Sequence, residues 1–273
     1  MSETTRQSPG GTSPNPFDLS GKVAVVFGAC GGIGGTVAAG LSEHGASLVL
    51  ADLEAPAARE LAASLSTPPR QAVGVGCDVR MADSVVQVFK DADAAFGRVD
   101  VVVNLAFASV LMPVAEMPDA VFQRTLDVCL GGAFRISRAA AQVMIPQGSG
   151  GSVIQFSSIA GFAAMGRGTG AYAMAKGGLN ALIRETAVEW ASHGIRVNGI
   201  APCQTRTAPL EALFKNPKHG APGELETAMI ARIPLGRLAE PQDMVGACVF
   251  LAGDASSMVT GHVLPVDGGF LAK

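Results

Sequence analysis

Seven short apolar runs recur along this chain, with helix-patterned stretches between most of them. No other feature restricts its fold as strongly. The runs fall at residues 23–27, 47–51, 72–76, 100–104, 152–156, 195–200 and 263–266. Several are apolar at consecutive rather than alternate positions, so both faces of each strand must be covered. Helical segments are expected at about residues 32–44, 56–64, 82–96 and 119–145, with a further helix carrying Tyr172 and reaching about Ala191. Strands covered on both faces and joined by helices pair in parallel. The spacing therefore predicts an α/β fold, a single doubly wound parallel sheet of about seven strands with helices on both faces. Residues 205–232 break the rhythm with Pro209, Pro217, Pro222 and Gly223. A long irregular segment inside a compact domain points to a substrate lid. Residues 18–273 then form one domain. Residues 1–17 read as a disordered tail, rich in Ser, Thr, Pro and Gly and without the apolar stretch of a signal peptide.

Charge and cysteine usage narrow the class. The net charge is −3, and no basic cluster suits nucleic acid or an anionic membrane surface. No apolar run reaches membrane-spanning length. The five cysteines and four histidines are scattered, with no C-x-x-C arrangement, so neither a disulfide framework nor a metal site is expected. A cytoplasmic protein follows. With 48% hydrophobic and only 16% charged residues, oligomer contacts are a natural place for surplus apolar surface.

Between the first run and the first helix lies Gly28-Ala-Cys-Gly-Gly32-Ile33-Gly34. Glycines there permit a tight turn and close approach of a pyrophosphate, whose charge a helix N-terminus meets. Asp52 follows the second run, placed to accept hydrogen bonds from ribose hydroxyls and to repel a 2′-phosphate. Neither the glycine loop nor residues 51–58 offer a Lys or an Arg before Arg59 to hold that phosphate, so NAD is expected over NADP. Asp78 is placed to meet the adenine edge or to cap the next helix.

The only tyrosine, Tyr172, stands four residues before Lys176, on the same face of a helix. A lysine cation at that spacing would lower the phenol's pKa from its usual value near ~10 toward neutrality. Such a pair on its own is as readily an accident of a solvated face.

Taken in order, these motifs resemble the short-chain dehydrogenase/reductase family, over residues 18–270. The matching residues are Gly28-x-x-x-Gly32-x-Gly34, Asp52, Asp78-Val79, Val103-Asn104, Phe156-Ser157-Ser158, Tyr172-x-x-x-Lys176 and Ile195-Arg196-Val197-Asn198, followed by Ala201-Pro202. Pro234-Leu235-Gly236-Arg237, Thr260-Gly261 and Val266-Asp267-Gly268-Gly269 complete the likeness. The resemblance implies a Rossmann fold and hydride transfer between NAD(H) and a secondary alcohol or ketone. Ser158 would hold the substrate oxygen, and Tyr172 would act as general acid/base. Lys176 would tune Tyr172 and bind the nicotinamide ribose. Cofactor contacts would come from Gly28, Gly32, Ile33, Gly34, Asp52, Asp78, Val79, Asn104, Pro202, Thr205 and Thr207 as well as from Tyr172 and Lys176. Ser157 falls to a structural role. A homotetramer, or a dimer, is implied.

Four positions depart from the family pattern. Cys129 stands where an Asn links the lysine to a water relay, and a thiol hydrogen-bonds only weakly. Phe27 replaces a Thr that contacts the turn after the fourth strand. The turn reads Asn104-Leu105-Ala106-Phe107, suggesting that an apolar contact between Phe27 and Leu105 replaces a polar one. Phe107 would wall the substrate pocket or repack into the core. Cys203 replaces a Gly after Pro202, and Thr205 an Ile or Val. The interval from Ser158 to Tyr172 is also one residue longer than usual, which the loop at 165–170 can absorb.

Two other readings compete with an oxidoreductase: a nucleotide-sensing or scaffold protein on the same fold, and a cofactor-free lyase or dehalogenase. Retention of Ser158, Tyr172 and Lys176 argues against the first. The glycine loop and Asp52 argue against the second. The lid's Lys215, Lys218 and His219 suit an anionic substrate or a solvated loop tip.

Overall fold

A computed structural model describes residues 15–166, 168–216 and 221–273. The expectation for residues 1–14, Arg167 in the loop before Tyr172, and the lid residues Pro217, Lys218 and His219 lie outside the described residues. The seven strands are β1 Val23–Phe27, β2 Ser47–Asp52, β3 Ala72–Gly76, β4 Val101–Asn104, β5 Gly151–Phe156, β6 Ile195–Pro202 and β7 Val263–Val266. They form one sheet in the order β3-β2-β1-β4-β5-β6-β7, parallel at every pairing.

Alternate strand residues feed two apolar layers. Ala24, Val26, Val101 and Val103 join one, and Val25, Phe27, Val102 and Val153 the other. Helices α1 (Gly32–Glu43) and α2 (Ala55–Leu65) cover the first layer. Helix α3 (Ala82–Phe96) covers the second, as do α5 (Ala133–Gln147) and α6 (Gly170–Trp190). Chain order reverses between β1, which pairs with β2, and β4, which adds on the other side of β1. The carboxyl ends of strands at such a switch point form the usual ligand crevice of this architecture. Among the described residues no helix is long and apolar enough to cross a membrane.

Three details differ from expectation. The helix expected over residues 119–145 is broken: α4 (Asp119–Leu126) passes into a π-helical turn at Asp127–Gly132 before α5 begins. A π turn inserts a residue into the helical ladder and re-aims the side chains it carries. Cys129 sits in its middle.

Phe27 also does not pack on Leu105. It is fully buried against Phe89 of α3, ring centres 5.8 Å apart, while Leu105 lies in the opposite layer. The strand's period of two decides this, because Phe27 and Val25 must share a face. Burying that ring is worth about 1.5–3 kcal/mol. The two residues meet through backbone instead, Leu105 N donating to Phe27 O at 2.9 Å.

Finally, the segment expected as a lid holds two short helices, α7 (Ala208–Phe214) and α8 (Glu224–Ile230), and α9 (Val245–Ala252) follows it. Periodicity alone missed α9, because Val245-Gly-Ala-Cys-Val-Phe-Leu-Ala252 is apolar all round.

Candidate active site

The nucleotide end is made largely of backbone. Gly28 has φ +75°, and a Cβ there would lie 2.8 Å from Ala106 N in the turn after β4. On Gly34 a Cβ would come within 2.1 Å of Gly28 O, so α1 can begin directly beneath the loop only without one. Strand, turn and helix thus close to a distance that other residues forbid. The first N–H groups of α1 have no acceptor within the helix and Gly31 gives it no side-chain cap, the condition that suits a phosphate. Thr207, at the N-terminus of α7, faces this start: a Cβ on Gly32 would be 3.2 Å from its Cγ2. Ile33 packs against the core beside it.

Asp52, at the end of β2, is anchored by Cys30 N and Leu53 N, each donating to its carboxylate at 2.8 Å. Burial and the Asp52 charge push the Cys30 thiol up to about 11, so this thiol stays protonated at neutral pH. Asp78 pairs with Arg80, whose Nη2 lies 2.6 Å away, and this holds its carboxyl below the usual range. Val79 is buried beneath Gly132. Asn104 spends its carboxamide inside the protein, donating to Gln155 Oε1 at 2.8 Å and accepting from Ala106 N at 3.0 Å. Its side chain therefore shapes the turn after β4. Pro202 ends β6, and Thr205 donates to Cys203 O at 3.1 Å.

The other end is built of side chains. Ser158, just beyond β5, heads a 3-10 turn (Ile159–Gly161) and accepts from Ala160 N at 3.1 Å. Tyr172 and Lys176 stand one turn apart on α6, with Lys176 Nζ 5.5 Å from the centre of the phenol ring. Ser158 lies close enough to Tyr172 for its side chain to pull the phenol's acidity downward, so the longer interval between them still brings the two together. Lys176 is 3% exposed and donates to Phe156 O at 2.5 Å. Ser157 donates to Asn180 Oδ1 at 2.5 Å, and Asn180 Nδ2 donates to Gly161 O at 3.2 Å. Asn180 thereby ties α6 to the turn that follows Ser158. Its position one turn past Lys176, on the same helix face, is the sequence signal that marks it.

Burial works against the simple reading of the Tyr-Lys pair. It pushes the Tyr172 phenol well above its usual value, and a charge on the nearby Cys129 sulfur adds to this; the Ser158 side chain opposes it. The Lys176 pKa is pushed down by burial, with Cys129 opposing. In a dry pocket the cost of any charge exceeds the help that two groups with shifted acidities give each other. Cys129 is close enough to act on both. Its thiol also donates to Ala108 O at 3.2 Å and accepts from Ala108 N at 3.3 Å.

Phe107 is 55% exposed, which removes the core-packing alternative for it. In the lid, Leu210, Leu213, Phe214, Leu225 and Ile230 pack on the core. Arg206, which no sequence motif marks, ties α7 and α8 together: Glu211 of α7 and Glu226 of α8 each approach to 2.6 Å, and Glu240 before α9 to 3.3 Å.

Residues 28–271 match the family model described as enoyl-(acyl carrier protein) reductase. The cis-4-hydroxycyclohexanecarboxylate dehydrogenase of Sinomonas cyclohexanicum is 39% identical over 92% of this chain and 97% of its own length. The D-threitol dehydrogenase of Mycolicibacterium smegmatis is 37% identical over 94% and 95%. A solved structure described as a "putative NAD(P) dependent gluconate 5-dehydrogenase" from Beutenbergia cavernae, with NADP bound at low occupancy, is 37% identical. It superposes with a TM-score of 0.85 over 95% of this chain and 100% of that one.

Proposed function

The chain belongs to the short-chain dehydrogenase/reductase family of Rossmann-fold oxidoreductases. From that premise we propose that it is an NAD-dependent dehydrogenase or carbonyl reductase acting on a secondary alcohol or ketone, with Tyr172 as general acid/base. The observation that carries the reading is the convergence of Ser158, Tyr172 and a buried Lys176 at the carboxyl end of β5. The residues present fit a nicotinamide dinucleotide. The Gly28–Gly34 turn, closed to a Cβ at both of its end glycines, and the start of α1 would hold its phosphates, Asp52 its adenosine ribose, and Thr205 and Thr207 its other half. When bound, the cofactor supplies the carbon that accepts or gives the hydride, together with the positive charge of its oxidised ring.

In the oxidising direction Ser158 Oγ would hold the substrate hydroxyl, whose proton would pass to the Tyr172 oxygen, ionised beforehand to the phenolate, as the carbonyl forms. In reduction Tyr172 returns it. The Lys176 ammonium, held by the Phe156 carbonyl, favours that ionised form. The 3-10 turn pinned by Asn180 keeps Ser158 from drifting.

Relatives that act on a cyclic hydroxy acid and on a polyol favour a polar secondary alcohol as substrate. Preference for NAD rests on Asp52 alone, because the Beutenbergia structure holds NADP. A cytoplasmic homotetramer or dimer completes the proposal, with Phe134, Val188 and Met258 among the exposed apolar residues that subunit contacts would cover.

A panel of secondary alcohols, polyols and hydroxy acids, followed by reduced-nicotinamide absorbance with NAD and with NADP, tests the proposal. Turnover is expected with NAD. Tight NAD binding without turnover across the panel would favour the sensor reading instead.

A further inference from the structure

A solvent-open cavity of about 420 Å³ is lined by Phe162, Ala163, Arg232, Phe270, Leu271 and Lys273. Its one half-buried cation is Arg232, two residues beyond α8. The guanidinium carbon lies 4.8 Å from the centre of the Phe270 ring, and Nη1 donates to Met165 O at 3.3 Å. Arg80, Arg98, Arg206 and Arg237 each face a carboxylate. Arg232 has no such ion pair among the described residues. A guanidinium carries five N–H donors in a plane, and stacking on an aromatic ring leaves its edge free. Arg232 is thus held in place at one corner with most of its donors unspent.

The cavity adjoins the proposed acid/base site through one short piece of chain. Ser158 heads the 3-10 turn, and Phe162 N and Ala163 N both donate back to Ile159 O at 3.0 Å. Asn180 pins that turn through Gly161 O, and Arg232 reaches Met165 just beyond it. At about 2 Å rise per residue, Phe162 stands roughly 8 Å along the chain from Ser158.

We propose that this cavity is an anion subsite in which Arg232 holds the carboxylate of the substrate, making the substrate class a secondary alcohol whose carboxylate lies several bonds from its carbinol carbon. The inference rests on the dehydrogenase reading above. A carboxylate matches the planar edge of a single guanidinium in two parallel hydrogen bonds. Phe162, Ala163 and Leu271 suit the hydrocarbon between the two polar ends. Lys273 is exposed at the rim, where water screens it, so Arg232 sets the preference. Because Arg232 follows α8, the bound acid would also tie the lid to the body.

The test compares binding of cyclohexanecarboxylate and cyclohexanecarboxamide by calorimetry in the presence of NAD, using the whole chain and its Arg232→Gln and Arg232→Lys variants. The acid should bind the wild type about tenfold to a hundredfold more tightly than the amide. That ratio should fall to near one in Arg232→Gln and keep an intermediate value in Arg232→Lys, with melting temperatures reported for all three. Arg232→Lys carries the comparison should Arg232→Gln fail to fold. Equal binding of acid and amide to the wild type overturns the proposal, as does a preference that survives in Arg232→Gln. Oxidation of cyclohexanol by the wild type separates the two readings. Turnover without an acid preference removes the anion subsite alone, whereas an acid preference without turnover of any alcohol removes the dehydrogenase.

Discussion

At the β1–α1 end the candidate site is written in backbone: a left-handed Gly28, a Gly34 with no room for a Cβ, and an Asp52 held by two N–H groups. At the β5–α6 end it is written in side chains, and two of them are buried against their own charge. The first region needs no electrostatic help to take its shape. In the second, Lys176 alone does not prepare Tyr172, because burial raises the phenol by more than the chain's own residues lower it. Geometry is in place in both regions; acidity is supplied locally in neither. The positive charge that an oxidised nicotinamide carries would act in the direction the protein's own burial opposes.

Tyr172→Phe is the strongest way to break that division. If proton transfer belongs to the β5–α6 end alone, turnover should fall about a hundredfold to ten-thousandfold while NAD affinity stays within about threefold. Steady-state rates and a NAD titration check both halves, and retained turnover would remove Tyr172 as the acid/base. The next effect belongs to the other end. Asp52→Ala should lower the preference for NAD over NADP by about tenfold to a hundredfold, read as the ratio of kcat/KM values, with kcat on NAD little changed. An unchanged ratio would leave Asp52 only its hold on the Cys30 and Leu53 amides.

A smaller effect measures the electrostatics directly. Tyr172 is the only tyrosine, so near-ultraviolet phenolate absorbance reports one group. Its midpoint in the cofactor-free protein should lie above the ordinary value of about 10, and NAD should move it down. The sign carries over to stability. A phenol with a raised folded pKa keeps its proton while the unfolded chain has lost its own. It costs nothing below pH ~10 and takes stability away as pH climbs past that value. Tyr172→Phe should therefore melt progressively higher than the wild type above pH ~10, relative to their difference at neutral pH. Lys176, lowered on folding, acts with the opposite sign and is common to both proteins, so it cancels in the comparison. A midpoint at or below the ordinary value in the free protein would restore the simple Tyr-Lys account.

The two regions were also unequally legible. Strand positions and the glycine loop came through because each is a local pattern: an apolar run, a glycine at a fixed offset, a carboxylate at a strand end. Ser158, Tyr172 and Lys176 were legible because their order along the chain resembles a family. What stayed hidden depends on contacts between distant segments. Arg206 meets carboxylates from two lid helices and the body, and Arg232 meets a ring 38 residues on, at Phe270. No spacing announces either. Phe27 was misplaced for the opposite reason: the strand's alternation was available, and it assigns Phe27 to the α3 side with Val25, away from Leu105.

Cys129 joins the two regions and tests whether they are separate at all. It lies in the π turn between α4 and α5, bonds both backbone groups of Ala108 beyond the β4 turn, and acts on Tyr172 and Lys176. If its work is only to hold the 108 backbone, a carboxamide can do the same, donating through its NH2 and accepting through its oxygen. Cys129→Asn should then preserve turnover or raise it by a few-fold. The added bulk at a site 1% exposed should appear as a lower melting temperature rather than as lost rate. A collapse of activity in a protein that still melts cooperatively would give the thiol a role of its own beside Lys176. Since a thiol lends Lys176 little hydrogen bonding, the more informative number is kcat at high pH, where proton delivery to Lys176 limits least. A gain in Cys129→Asn that vanishes there would place the benefit in the proton route rather than in the shape of the turn.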